Sequence, residues 1–126
     1  MKKHFIVFVA VVFSSFVVSC SKDKTPRPEI AKPADCDVDD EIISYSEYIV
    51  PLVENNCTGS TCHNVGTGNY NYTIYEVLAD RIRQGRLEER LNLPPDNPLH
   101  MPQNAALSEC DYYQLTTWIH QGFNNN

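Results

Sequence analysis

The chain has 126 residues, enough for one domain. Ten basic residues against sixteen acidic ones leave a net charge of −6 at pH 7, which argues against a nucleic-acid partner because phosphate and such a surface repel. Five cysteines in so short a chain direct attention to disulfides, metals and covalent attachment.

Residues 1–19 read as a secretory signal. Lys2, Lys3 and His4 precede an apolar run from Phe5 to Val18, a positive n-region and an h-region too short to cross a bilayer. The run ends in Val17-Val18-Ser19-Cys20, which resembles the lipobox of bacterial lipoproteins: a branched aliphatic three places before a cysteine, and a small residue immediately before it. Cleavage there would leave Cys20 as a lipidated N-terminus and remove Lys2 and Lys3 with no acid, taking the charge from −6 to −8. The competing reading is a plain signal peptide cut elsewhere.

Residues 20–42 carry most of their weight in prolines and charges, with almost no large apolar side chains. Such a segment cannot bury enough surface to fold alone and is expected to be a flexible tether. Its acidic cluster, Asp35 to Glu41, reads as a solvated charge run.

Residues 43–126 form the expected domain, small enough to need a disulfide, a metal or a cofactor to support a thin core. Tyr48, Ile49, Leu52 and Val53 fall on one face of a helix over residues 46–56, with Pro51 near its first turn or kinking it. A second helix is expected from Thr73 as N-cap, with Glu76 completing a capping box, Val77, Leu78 and Ile82 as its apolar residues and Gly85 as its stop. A short segment, residues 86–91, follows. The last helix has Ser108 and Asp111 as a capping box, Leu107 and Tyr112 as a hydrophobic staple, an apolar face of Tyr112, Leu115, Trp118 and Ile119, and Gly122 to close it. Between Leu91 and Leu107 runs a proline-rich loop. The fold class is therefore all-α, three to four short helices around a long irregular loop.

The first helix leads into Cys57-Thr58-Gly59-Ser60-Thr61-Cys62-His63. On a continuous helix, cysteines five apart would stand about 140° from each other and their sulfurs would diverge. The intervening residues are small and include a glycine able to take positive φ, so the chain can bulge outward and return both sulfurs to one side. Two thiols on one side with a histidine directly after the second suit covalent attachment of a haem through its two vinyl groups, with His63 beneath the iron. Zinc fits less well, because Cys62 and His63 point apart and no second cluster completes a tetrahedron. A plain Cys57–Cys62 disulfide with a bystander histidine is the other alternative.

A low-spin haem needs a sixth ligand. After removal of the signal the chain has one methionine, Met101, 38 positions beyond His63 and followed by Pro102. Its thioether is a soft iron ligand that raises the reduction potential relative to a second imidazole. His100 is the rival next door, and His120 falls off the apolar face of its helix, toward water. Arg81, Arg83, Arg86 and Arg90 are candidate partners for haem propionates, in competition with Asp80, Glu88 and Glu89. Tyr70, Tyr72 and Asn64 are candidates to flank the haem edge, and a backbone carbonyl is expected to accept the His63 Nδ1 proton. Cys36 and Cys110 remain in an oxidising compartment, and pairing them fits the first turn of the last helix, where the incoming tether could cross it.

The run "YSEYIVPLVENNC…CH", the "GRLEERL" segment, "MP" and "LSECDYYQLTTWIHQGF" resemble the small monohaem c-type cytochrome domains of bacterial lipoproteins, over residues 43–124. The resemblance implies a cytochrome c-like fold with covalent haem c, Cys57 and Cys62 as attachment points, His63 and Met101 as proximal and distal ligands, and Trp118 as a packing residue. The four-residue gap between the cysteines departs from the family's usual two. The function it implies is electron transfer, without enzyme activity, between redox partner proteins at a membrane to which the N-terminal lipid holds the chain on the periplasmic or cell-envelope side. The alternatives are a haem sensor or peroxidase-like protein with a labile distal ligand, and a haem-free, disulfide-stapled interaction lipoprotein.

Overall fold

The computed structural model describes residues 30–39, 41–103 and 105–126. The signal segment, the lipobox and Cys20 lie outside them. Four α-helices and one π-helical turn, with no strand among the described residues, make the domain all-α. No helix among those residues is long and apolar enough to cross a membrane.

The first helical stretch is two pieces. A π-helical turn, Tyr45–Ile49, begins with the Ser44 hydroxyl accepting from the Glu47 N–H and closes with the Val50 N–H donating to the Tyr45 carbonyl. It is followed by α1, Val50–Cys57, with Pro51 in its first turn. The widened turn explains how Pro51 is tolerated. Its ring would clash with the carbonyl four residues back in a continuous α-helix, and it has no N–H to continue the ladder. Ile49, Leu52 and Val53 are buried, and Tyr48 only half so.

Helix α2, Tyr75–Arg83, starts two residues after the expected cap, with Ile74 at the N-cap position and no side-chain cap. The reason is local competition. Asn71 Oδ1 accepts from both the N–H and the hydroxyl of Thr73 (3.1 and 2.8 Å), an Asx turn that draws the Thr73 side chain toward Asn71, and the helix starts beyond it. Gly85, at φ +71°, ends the segment and starts α3, Arg86–Leu91, whose Leu87 is buried. The positive φ is what lets two helices meet without a longer loop.

Helix α4, Glu109–His120, is capped by the Ser108 hydroxyl accepting from the Asp111 N–H at 3.0 Å. Its buried side chains are Tyr113, Leu115, Thr116, Trp118 and Ile119. Tyr113 replaces Tyr112 on that face; Tyr112 is half-buried and donates its hydroxyl to Asn92 Oδ1 at 2.6 Å, a polar partner that holds it at the rim. Trp118, 1% exposed, stacks on Tyr45 with ring centres 5.4 Å apart. This joins α4 to the π turn, and the indole N–H donates to the Asn124 carbonyl. The C-terminal tail closes the same corner: the Tyr45 N–H donates to Asn126 Oδ1 and the Ser46 N–H to the Asn126 carbonyl.

Residues 30–39 lie against this core. Cys36 is bonded to Cys110, and Cys36 and Val38 are buried in the same cluster as Ile43, Leu115 and Trp118. The covalent tie to the first turn of α4 supplies the anchorage that this segment's own side chains lack.

Candidate functional site

Helix α1 delivers Cys57 at its last position, and the chain then turns back on itself. The His63 N–H donates to the Cys57 carbonyl at 2.9 Å and the Cys62 N–H to the Gly59 carbonyl at 2.8 Å. Six residues of path are thus folded into one loop whose ends touch. Asn64 Nδ2 ties this loop to the Thr58 carbonyl, and Asn69 Nδ2 reaches the carbonyls of Thr61 and Cys62. Asn64 is a strut of the loop and does not line the cavity described below.

Gly59 earns its place differently from the sequence expectation. It does not take positive φ. A Cβ there would lie 3.3 Å from the Cys62 sulfur, a tight contact that glycine avoids. Cys57 and Cys62 are both free thiols, the first half-buried and the second exposed. Burial, reinforced by the neighbouring Cys62, pushes the Cys57 thiol up to about 11. Cys57 is therefore a neutral S–H group at physiological pH.

His63 is fixed on two sides. Its Nδ1 lies 3.1 Å from the Tyr70 carbonyl. A carbonyl can only accept, so Nδ1 carries the proton and Nε2 keeps its lone pair. The ring also stacks on Tyr72, centres 4.0 Å apart and planes within 8°, and the Tyr72 N–H donates to the His63 carbonyl. Burial lowers the His63 pKa, although the hydrogen bond to Tyr70 opposes it; the result favours the neutral imidazole that binds iron.

These residues open on a cavity of about 620 Å³, of the size that holds a small cofactor. Cys57, Cys62 and His63 line one side. Met101 and Pro102, from the proline-rich loop, line it too, together with Tyr70, Tyr72, Leu87, Leu91 and Leu115. The Met101 N–H donates to the Arg90 carbonyl at 3.1 Å, which docks that loop on α3. The structure thus brings together the four residues predicted for haem attachment and ligation. His100 is left out. Its Nδ1 donates to the Leu93 carbonyl (2.8 Å), and it lines an adjoining cavity of about 360 Å³ with Ile30, Leu107 and Tyr112, a cavity that Leu91 and Met101 also line. His120 reaches Glu88 at 2.9 Å and has no part in the site.

The cavity also carries positive charge in search of an anion. Arg81, Arg86 and Arg90 line it. Arg86 is matched by Glu89 at 2.9 Å, and Arg83 instead lies over the Phe123 ring. Arg81 and Arg90 have no carboxylate partner among the described residues. Arg81 stacks over Tyr70 at 4.0 Å, donates to Gln84 through one terminal nitrogen, and buries its Nε without any hydrogen-bond partner. A buried guanidinium nitrogen without a partner costs free energy unless a ligand accepts from it. Thiols, an imidazole, a thioether, apolar side chains and two arginines without carboxylate partners are the donor types that a haem takes. Among the described residues no three His, Cys, Asp or Glu converge in a metal-binding group.

Sequence reasoning expects a backbone carbonyl on His63 Nδ1 and names Tyr70, Tyr72 and Arg81 near the site; it misses that the carbonyl is that of Tyr70, that Tyr72 stacks on His63 and that Arg81 covers Tyr70. Two tyrosines seven and nine places after a histidine carry no local signal; only the loop's fold brings them to it. No family model, curated protein or solved structure matches the chain. The functional reading therefore stands on the site's residues and geometry.

Proposed function

We propose that the chain is a monohaem c-type cytochrome that carries electrons between redox proteins at a membrane to which Cys20 attaches it by lipid. The observation that supports this best is the convergence on one cavity of Cys57, Cys62 and His63 with Met101, which is 38 residues away and is the one methionine outside the signal segment. Bound haem supplies one-electron chemistry at iron. His63 offers Nε2 because the Tyr70 carbonyl holds its other nitrogen, and Met101 offers a thioether from a loop docked on α3. Cys57 and Cys62 would tether the ring to the loop after α1, and Arg81 and Arg90, which line the cavity without carboxylate partners, would take its carboxylates. His63 and Met101 would together hold the iron and leave it no open position for a substrate, which suits a carrier.

The test is a pyridine haemochrome assay on protein matured in a host competent for c-type haem attachment. The native chain is expected to give the spectrum of two saturated thioether links and one haem per chain. Cys57→Ser and Cys62→Ser are each expected to shift it to that of a single link, and the double variant to lose covalent haem altogether. Equal spectra for native and double variant would count against the proposal.

A further inference from the structure

The groups that hold His63 do not come from a helix. The Tyr70 carbonyl on Nδ1 and the Tyr72 ring stacked on the imidazole both belong to the irregular stretch between α1 and α2, and Tyr70 is 54% exposed. An exposed loop residue keeps one position only when something rigid is laid on it. Arg81 reaches this one from α2, a helix anchored by buried Leu78, Ala79 and Ile82, and its guanidinium lies 4.0 Å from the centre of the Tyr70 ring. A planar guanidinium stacks on an aromatic face as a lysine ammonium cannot. Burial raises the Tyr72 pKa and the positive charge of Arg81 opposes the rise, which puts the same guanidinium near the second support as well.

The arginine is itself held. It donates to Gln84 Oε1 at 2.9 Å, and the Gln84 amide donates to Asp80 Oδ2 at 2.7 Å, a relay at the C-terminal end of α2. What the relay leaves over is Nε, buried and without an acceptor, on a side chain that lines the cavity. That donor costs free energy until an anion takes it.

We propose that Arg81 is the positioning residue of the proximal ligand: it clamps Tyr70, offers Nε to an anionic group of the bound cofactor, and so fixes the plane in which His63 meets the iron. The inference rests on the haem reading above and adds to it a route by which the cofactor's own carboxylate steadies the imidazole.

Two NMR signals of matured, oxidised protein read the placement of that ring independently of electron transfer. One is the spread of the haem methyl resonances, which follows the plane of the axial imidazole. The other is the rate at which the His63 Nδ1 proton exchanges with water. Arg81→Lys keeps the charge and loses the planar fork; it is expected to change the methyl spread and to speed the exchange by about tenfold or more, as Arg81→Gln should. Tyr70→Leu keeps the carbonyl and every charge and removes only the exposed ring, and it is expected to do the same. The Arg81→Gln, Tyr70→Leu double variant should lie within about twofold of either single one, because both remove one contact. Arg83→Gln takes the same charge from the same helix, at a side chain that lies over Phe123, and should leave both signals as in the native protein. Native signals in Arg81→Lys would mean that charge alone acts, and effects that multiply in the double variant would mean that the two residues act separately. Either result overturns the clamp and leaves the carrier reading standing. Should the Arg81 variants fail to hold haem, Tyr70→Leu decides alone, and native signals there overturn the clamp. Native protein that matures without haem overturns the carrier reading, and the clamp with it.

Discussion

Replacing Met101 by alanine is expected to leave haem covalently attached and to abolish the weak sulfur-to-iron absorption band at the red end of the oxidised spectrum. Attachment depends on Cys57 and Cys62, which belong to a loop closed by its own hydrogen bonds and do not touch the substitution's consequences. The backbone at residue 101 is held by its N–H on the Arg90 carbonyl, so alanine removes the thioether and little else. The midpoint potential should fall by on the order of a tenth of a volt, a modest part of the ~0.8 V range over which axial ligands set haem potentials. The reduced variant should bind carbon monoxide, which the native protein should refuse. An unchanged red band in Met101→Ala would mean that another side chain ligates the iron.

The second large effect is on stability. The Cys36–Cys110 bond joins positions 74 apart, and removing so long a loop closure costs about 4 kcal/mol in the chain-entropy account. For a domain of this size that is a fall of roughly 15–30 °C in melting temperature. Cys36→Ala with Cys110→Ala should show it at unchanged haem content, and reduction of the native protein should reproduce it. Residues 30–39 are expected to be the first to exchange their amide hydrogens after the bond is lost, because Val38 is among the few large apolar side chains they bury. A melting temperature unchanged in the double variant would show that this segment is held by its packing alone.

What the sequence reveals and what it hides follow one division. Features set by neighbours a few residues apart are legible. The Ser108–Asp111 cap of α4, the span of α3 and the stop at Gly85 are all local, and the structure has them where the pattern puts them. The failures are also local, but they are contests between two plausible partners. Thr73 looks like an N-cap, but its side chain turns to Asn71 in an Asx turn and the helix starts beyond it. Gly59 looks like a turn residue needing positive φ, yet its value lies in the space it leaves for the Cys62 sulfur. Tyr112 and Tyr113 are equally apolar on paper, and only Asn92 separates them. For the site, Cys57, Cys62 and His63 are visible because they are adjacent, and Met101 because so few methionines compete for the role. Around His63 a carbonyl acceptor and the nearness of Tyr70 and Tyr72 are expected, but which carbonyl it is and the stacking of Tyr72 are not legible, since a carbonyl has no sequence signature.

The most direct test of the account is the mass of the proteolytic peptide spanning Cys57 to His63, taken from protein matured in a competent host. The account predicts that this peptide carries the mass of one haem on the two cysteines, and that the mass survives acid and denaturant. A peptide found two hydrogens lighter than the dithiol, joined sulfur to sulfur with no porphyrin, would contradict it.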